Sequence, residues 1–449
     1  MGEYKSMVEA PSGWLGSLPE HWECKKIGSL FSERKTKVSD ADYPPLSVTK
    51  LGIVPQLANA AKSDSGDNRK LVCSGDFVIN SRSDRKGSCG VSELDGSVSL
   101  INIVLTPRNS WDNKYVHYLM RSQPFSEEYY HYGRGIVADL WTTRYSEMKN
   151  ILLPVPPRDE QEQIVRFLDW KVSGINKLIS LKKKEIDLLK ERQKTFISNI
   201  VLSGTNPGAK KEDSGISWIG DIPSHWKTYR CKYLFSERDE RSIEGKEQHL
   251  SMSQKYGLVP DTILDERRML SESYAGGKIC YENDLVLNRL KAHLGVFSLA
   301  PQMGVISPDY TVLIPRIERI IPAYAEAVLK SQKCRRELRV RVKGVTEGFW
   351  RLYTDSFNTI VLPVPPVEEQ KSIMDEIKLF EEKTANYISV ILKEVEVLHE
   401  LRNKLISDVV TGQIDVRDIE VPEFEFVDEI EDESDKDTDE ENDNVDEEE

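Results

Sequence analysis

Amide, guanidinium and ammonium groups crowd the stretch Asn80-Ser81-Arg82-Ser83-Asp84-Arg85-Lys86-Gly87, which follows the apolar run 77–79. Further along, Asn288-Arg289-Leu290-Lys291-Ala292-His293 follows residues 285–287 in the same way. Arg and Lys neutralise phosphates and can read guanine edges, while Asn and Gln can pair with adenine. Two more clusters accompany each loop. Lys50 ends the stretch 47–50, matched by Ser253, Gln254 and Lys255 within 251–256. Arg134 and Arg144 lie in 129–134 and 141–145, matched by Arg341, Lys343 and Arg351 in 335–343 and 350–353. Any one cluster alone reads as a solvated basic face. Three at matching places in both halves favour a duplex polynucleotide touched twice. The candidate contacts are therefore Lys50, Asn80, Arg82, Arg85, Lys86, Arg134 and Arg144, then Ser253, Gln254, Lys255, Asn288, Arg289, Lys291, His293, Arg341, Lys343 and Arg351.

Other chemistry finds little support. No Gly-rich phosphate loop ends in Lys-Ser/Thr, and no Asn- or Asp-Pro-Pro-Tyr tetrad marks a self-contained amino-methyltransferase. His21 and His225 sit among Trp, Pro and Gly in both halves, which fits a packed structural motif better than a catalytic one. Cys24, Cys73, Cys89, Cys231, Cys280 and Cys334 are scattered without a C-x-x-C pair, so reduced thiols are expected, with no metal ligands. No catalytic residue is assigned. A nuclease acting alone is the least favoured reading, because no carboxylate–lysine site stands out.

These loops are carried on a duplication. Trp14-Leu15-Gly16 through Pro19-Glu20-His21-Trp22 recurs 204 positions later, from Trp218 to Trp226. Leu30-Phe31-Ser32-Glu33-Arg34 recurs at Leu234 at the same offset, the segment at Asp76 recurs at Asp284 after 208, and Trp141 recurs as Trp350 after 209. Runs at 77–79, 99–105, 285–287, 310–314 and 359–364 read as strands, and 115–130 and 323–341 as helices. Residues 210–213 read as a polar linker.

Each half ends in Leu-Pro-Val-Pro-Pro, Glu-Gln, and about forty residues without an internal proline. These are Leu153 onward with Glu160-Gln161, and Leu362 onward with Glu369-Gln370, closed by Gly204 and Gly412. The prolines preset an extended lead-in, acidic residues suit the first helical turn, and Gly suits a left-handed cap. A helix of that length, roughly 60–65 Å at 1.5 Å per residue, needs a partner. Ile388, Ile391, Val395, Leu398, Arg402, Leu405 and Val409 keep a +3/+4 rhythm, as do Ile179, Lys182, Ile186, Leu189, Gln193, Phe196 and Ile200. The expected fold is α+β, with two tandem domains and two long helices paired as an antiparallel coiled coil.

The chain has 449 residues and a net charge of −14, with 61 Lys and Arg against 75 Asp and Glu. From Asp418 to Glu449 stand 19 acidic residues and one basic one, leaving the body at about +4. That charge permits nucleic-acid binding without arguing for it. The tail reads as disordered by composition. No apolar stretch is long enough for a membrane span or leader, so a cytoplasmic protein is expected.

The two Trp-x-Gly-x-x-Pro-x-His-Trp openings and the two Leu-Pro-x-Pro-Pro…Glu-Gln signatures resemble the specificity subunit of Type I restriction–modification enzymes, over residues 12–415 and in the family's order. The resemblance implies target-recognition domains at 1–155 and 206–364, long helices at 156–205 and 365–415, and a tail at 416–449 that the family pattern does not include. It further implies a non-catalytic subunit reading a bipartite, asymmetric site in double-stranded DNA through the major groove. The helices would set half-site spacing and dock two modification (methyltransferase) subunits, with restriction subunits completing the complex. No cofactor is expected on this chain, and S-adenosylmethionine, ATP and Mg are expected on the partners. A Type IIB-like specificity subunit shares this architecture. A coiled-coil scaffold that never touches DNA is the alternative of a different class.

Overall fold

The computed structural model describes residues 2–56, 66–82, 85–108, 111–135, 141–253, 256–263, 274–343 and 350–429. Two compact units divide the chain: Met1–Lys184 with Leu392–Glu449, and Glu185–Ile391. The division cuts both long helices, so each unit holds one α+β domain and half of each helix.

In the first unit an antiparallel sheet runs Cys89–Val91, Phe77–Asn80, Asn102–Pro107, Phe31–Glu33. The second unit repeats it as Phe297–Leu299, Leu285–Asn288, Tyr310–Pro315, Phe235–Arg238. Alternation along the strands gives each face its own core. Phe77, Ile79, Ile103 and Leu105 enter the main core, while Val78 and Val104 pack with Leu46, Val72 and Val98. Leu285, Leu287 and Leu313 face the main core of the second unit, and Val286 and Val312 its smaller one. A buried aspartate pins the same corner in each sheet. Asp76 takes two hydrogen bonds from Arg34, at 2.7 and 3.0 Å, and one from the Cys73 amide. Asp284 repeats this with Arg238, at 2.9 and 3.4 Å, and the Tyr281 amide.

Each helical stretch expected at 115–130 and 323–341 is two helices: Asn113–Arg121 and Gln123–His131, then Pro322–Lys330 and Gln332–Arg341. Ser122 and Ser331 break them, with extended backbone and hydroxyls donated back to Leu119 O and Val328 O. The stretch 210–213, expected as a linker, forms the strand Lys211–Asp213 on Asp221–Pro223, just as Met7–Glu9 pairs with Ser17–Pro19.

The long helices span Arg158–Ser203, 46 residues, and Val367–Val410, 44 residues. They pair antiparallel, as the sequence predicts. Within the first unit Asn176 meets Arg402 at 3.1 Å and Lys182 meets Glu394 at 2.8 Å. Within the second, Gln193 meets Glu381 at 3.3 Å and Phe196 stacks on Phe380 with ring centroids 4.1 Å apart. The expected seam is the protected stripe, with Ile179, Ile186, Ile200, Ile391, Val395 and Val409 all buried.

The twin motifs are joints between domain and helices. Glu160 and Glu369, in the first helical turns, receive His21 at 2.8 Å and His225 at 2.7 Å. The neighbouring Gln161 and Gln370 bond to the backbone before their own helix: Gln161 to Pro156 O and the Asp112 amide, Gln370 to Pro365 O, Arg319 O and the Ile321 amide. The histidines are thus structural. The far end of the other helix seats on the same joint. Tyr115 donates to Val410 O and Tyr324 to Val201 O. Gly412 and Gly204 take the expected left-handed conformation, at φ +72° and +73°, against Trp22 and Trp226 respectively.

The acidic segment beyond Asp418 departs from expectation up to Glu429. Val416 is buried, and Ile419 and Val421 pack on the first core. Apolar side chains interleaved with the acids supply the burial that composition alone conceals. Residues 430–449 lie outside the described residues.

An added Cβ at Gly412 would stand 2.5 Å from Pro19 Cδ and 3.0 Å from Trp22 Cζ3. Gly412→Ala is expected to destabilise the protein by about 1–3 kcal/mol through the positive φ and the clash. Gly174, inside the first helix with nothing within 4 Å, is the control. Gly174→Ala should leave stability unchanged or raise it by about 0.5–1 kcal/mol. Thermal unfolding of both variants checks the pair.

Candidate nucleic-acid interface

In the first unit the folding of the sheet brings two of the three basic clusters together. Arg134 and Thr142 exchange backbone hydrogen bonds at 2.9 and 3.0 Å, and the Thr143 amide reaches Ser81 O at 2.9 Å. The resulting cleft is lined by Asn80, Arg82, Arg85, Lys86, Arg121, Tyr130 and Trp141, among others. Lys86 stands 5.4 Å over the Tyr130 ring, and Tyr130 stacks on Trp141 with centroids 5.7 Å apart. Cations beside stacked aromatics suit phosphate and base contact alike. The third cluster joins through Arg121, whose guanidinium donates to Lys50 O in the turn of the hairpin Leu46–Thr49 and Gly52–Pro55. Arg144 is exposed ahead of the short helix Tyr145–Met148. With Arg134, and after the hydrogen bond from Ser146, it helps hold the Glu147 carboxyl below the usual range.

The second unit places a cleft at the same position with other chemistry. Gln332, Arg335, Arg336, Arg339, Leu294 and Trp350 line about 430 Å³. Arg335, Arg339 and Trp350 fall 209 positions after Ser126, Tyr130 and Trp141, all of which line the first cleft. That first cleft holds only about 20 Å³. One local difference is a glycine. A Cβ on Gly133 would lie 2.0 Å from Trp141 Nε1, so glycine lets the indole fold down. Val342 stands at the corresponding place before Trp350.

Several candidates also make contacts within the fold. Asn80 and Asn288 use their side-chain oxygens in their own loops. Asn80 Oδ1 accepts from the Arg82 amide at 3.0 Å, and Asn288 Oδ1 from the Leu290 amide at 3.1 Å, so both shape their loops. Arg289 donates to the carbonyls of Asp309, at 2.7 Å, and Pro308. Arg341 is engaged by Glu337 and Thr359. Lys343 and Arg351 pair through their backbones, leaving Lys343 exposed. Ser253 lies in the hairpin Leu250–Ser253 and Gly257–Pro260, and Lys291 is exposed beside the second cleft's Leu294. Gln254, Lys255 and the side chain of His293 lie outside the described residues. The sequence reading included Arg335, Arg336 and Arg339 in its third cluster, 335–343, but did not single them out as contacts. Their +1/+4 spacing on one helix face, toward Trp350, was the available signal.

Electrostatics around Arg121 are distinctive. Arg121 Nη1 donates to His117 Nε2 at 2.8 Å. Burial, then the cations Arg121 and Lys114, push the His117 pKa down to about 3, so the imidazole stays neutral. In the second unit His249 and Ser251 both bind Asp261, with the serine on the carboxylate and not on the imidazole. That is no nucleophile–base arrangement. Among the described residues no three His, Cys, Asp or Glu cluster as metal ligands, and no helix is long and apolar enough to cross a membrane. Burial drives the Cys89 and Cys280 thiols up to about 12, leaving them inert at neutral pH.

With this geometry in place, comparison with known proteins is informative. No family model matches the sequence. The chain is 21% identical over 441 residues to a Methanocaldococcus jannaschii protein named for the MjaX type I restriction enzyme specificity subunit, covering 90% of this chain and 96% of the relative. It is likewise 21% identical over 430 residues to the MjaVIII type I restriction enzyme specificity subunit of the same organism, covering 90% and 95%. A chain from a structural study of complex assembly and conformational transition in the type I R-M system matches the fold with a TM-score of 0.57 at 15% identity, covering 88% of this chain and 99% of that one. The class is thus defined first by architecture: two α+β domains on paired long helices. Along nearly its whole length the chain is similar to type I restriction–modification specificity subunits.

The His117 pKa gives a direct test. A folded value near 3 lies below the ordinary 6.5, so the unfolded chain takes up a proton that the folded chain refuses. Stability from this site is therefore full above pH 6.5 and lost as pH falls toward 3, at about 1.4 kcal/mol per pH unit. His117→Gln should flatten the fall in unfolding free energy between pH 7 and 5.5, measured by denaturant titration. An unchanged slope would exclude the neutral, buried imidazole.

Proposed function

We propose that this chain is the DNA-recognition subunit of a type I restriction–modification enzyme, without catalytic activity of its own. Each domain reads one half of a bipartite, asymmetric site in duplex DNA through its cleft. The observation that carries this reading is the recurrence of one cleft at equivalent positions, basic and aromatic in both domains yet built from different residues. A duplicated scaffold with unlike reading surfaces suits a site whose halves differ. Phosphate contacts from the lysines and arginines set affinity, and base contacts set sequence.

The helices supply spacing and docking. Two modification subunits would grip the coil, which leaves Leu178, Leu181 and Leu188 on the first helix and Tyr387, Val390 and Val397 on the second between 50% and 70% exposed. Apolar groups in such numbers on helices call for a covering surface. The modification subunits would bring S-adenosylmethionine, and the restriction subunits ATP and Mg; this chain would bind none of them. The exposed leucines also suit a scaffold that never meets DNA, so DNA binding itself must be measured.

Reversing the charge of Arg336 and Arg339 together is expected to weaken duplex binding and lower the salt slope by about one per lost phosphate contact. Mobility shifts from 50 to 200 mM salt read this, and no shift at low salt even for the wild type in its complex favours the scaffold. Spacing has its own test. Because the helices pair in register, an insertion must enter both. Seven residues added after Lys190 and again after Asn386 extend the coil by about 10 Å, roughly three base pairs at 3.4 Å each. Methylation mapping should show a spacer lengthened by about that much, and an unaltered spacer sinks the ruler.

A further inference from the structure

The segment 416–429 forms neither helix nor strand, yet it is held along its length. Gln163 Nε2 donates to Val416 O at 2.9 Å and Ile419 O at 2.7 Å. Val427 uses both backbone groups: its amide donates to Ser173 Oγ at 3.2 Å, and its carbonyl accepts from Asn176 Nδ2 at 3.0 Å. Lys177 pairs with Glu425 at 3.1 Å, and Lys114 stands 4.9 Å over the Phe426 ring. Gln163, Ser173 and Asn176 are buried polar groups on a helix, each with a partner in this segment. At 209 positions further on, the second helix carries Ser372, Glu382 and Ala385, which cannot repeat these bonds. The attachment belongs to the first unit.

At its end, Glu429 joins two places, the helix seam and the first cleft. One carboxylate oxygen meets Arg402 at 2.5 Å and the other meets Arg121 at 3.3 Å. Arg402 is a buried seam residue, bonded to Asn176. Arg121 lines the first cleft and carries the Lys50 carbonyl and His117. Among the described residues Glu429 is the carboxylate shown paired with both guanidiniums, beside the imidazole that Arg121 also contacts.

We propose that 416–429 is a strap coupling the coil to the first reading cleft, with Glu429 as a positioning residue for that cleft alone. The proposal rests on the DNA-recognition reading for its effect on specificity, but not for its effect on structure. Arg121 is held at a fixed angle by the seam through Glu429, and the hairpin bearing Lys50 is held by Arg121. The strap is an asymmetric addition to a duplicated scaffold.

Three variants of the full complex test it: a chain ending at Glu429, a chain ending at Arg417, and Glu429→Gln. Amide exchange reads the coupling without DNA, and methylation of duplexes altered in one half-site at a time reads its consequence. The chain ending at Glu429 should match the wild type in both. The chain ending at Arg417 should exchange faster at 114–121, and should lose discrimination at one half-site by about tenfold while keeping the other, as a coupling of 0.5–2 kcal/mol allows. Glu429→Gln should show the same half-site loss in smaller degree, which separates positioning from a general loss of folding. Unchanged exchange and specificity in the chain ending at Arg417 overturn the strap, as does equal loss at both half-sites. If the chain ending at Glu429 shows the full loss, the residues beyond it carry the effect and the proposal also fails. If the wild type binds no DNA, the functional reading falls while the exchange result still decides the coupling.

Discussion

The structure depends on one joint, built twice. A histidine and a tryptophan, two and three residues after a short strand that follows a glycine turn, receive the start of one long helix and the end of the other. His21 takes Glu160, while Trp22 and Pro19 lie against Gly412; His225 takes Glu369, while Trp226 lies against Gly204. Each domain thus completes its core with two helix ends that are far apart in sequence. Val409 and Val410 are buried in the first core, and Ile200, Val201 and Leu202 in the second. Antiparallel pairing follows from this arrangement, because a helix that starts on one joint must finish on the other. The helix lengths must match for the same reason, and they are 46 and 44 residues.

Holding a helix this way is costly to disturb and tolerant of what it carries. Gln161 and Gln370 are almost wholly buried and spend both amide groups on backbone partners, so a missing one leaves buried polar groups unpaired. The polar interruptions of the seam have partners as well. Arg402 meets Asn176, Lys182 meets Glu394 and Gln193 meets Glu381. Of these the buried Arg402–Asn176 pair costs stability relative to apolar residues but penalises a slipped register, which is the attested use of buried polar positions in coiled coils.

Much of this was legible in the sequence because it depends on periodicity and on repeated motifs. The seam, the caps at Gly204 and Gly412, the strands at 77–79 and 285–287 and the structural role of the two histidines are all signals of residue type at fixed spacing. What escaped was three-dimensional. Pro124, suited to the first turn of a new helix, was a local sign of the break at Ser122, but no proline closely follows Ser331, and a serine in mid-helix is only mildly unfavourable. The contacts that Asn80, Asn288, Arg289 and Arg341 make within the fold were not legible, because a polar side chain in a loop can serve the loop, a ligand or both, and its neighbours are not adjacent in sequence. The acidic tail was read by its average, whereas the position of Val416, Ile419, Val421 and Phe426 among the acids governs where it packs.

The two clefts show how duplication can hold a frame constant while the lining of a cleft changes. Residues of the joints, the Arg–Asp corners and the serine breaks recur at fixed offsets, because each closes a contact with another recurring residue. Apart from the tryptophan, much of the cleft lining does not recur. Ser126 and Tyr130 in one cleft become Arg335 and Arg339 in the other, and Gly133 becomes Val342. The last change alters shape as well as chemistry, since only the glycine permits Trp141 to lie within 2.0 Å of where a Cβ would be. A narrow cleft with stacked aromatics and a wide one lined by arginines can therefore rest on the same sheet order and the same joints. Change at these positions leaves the core residues untouched, so the cleft linings can diverge at little cost in stability.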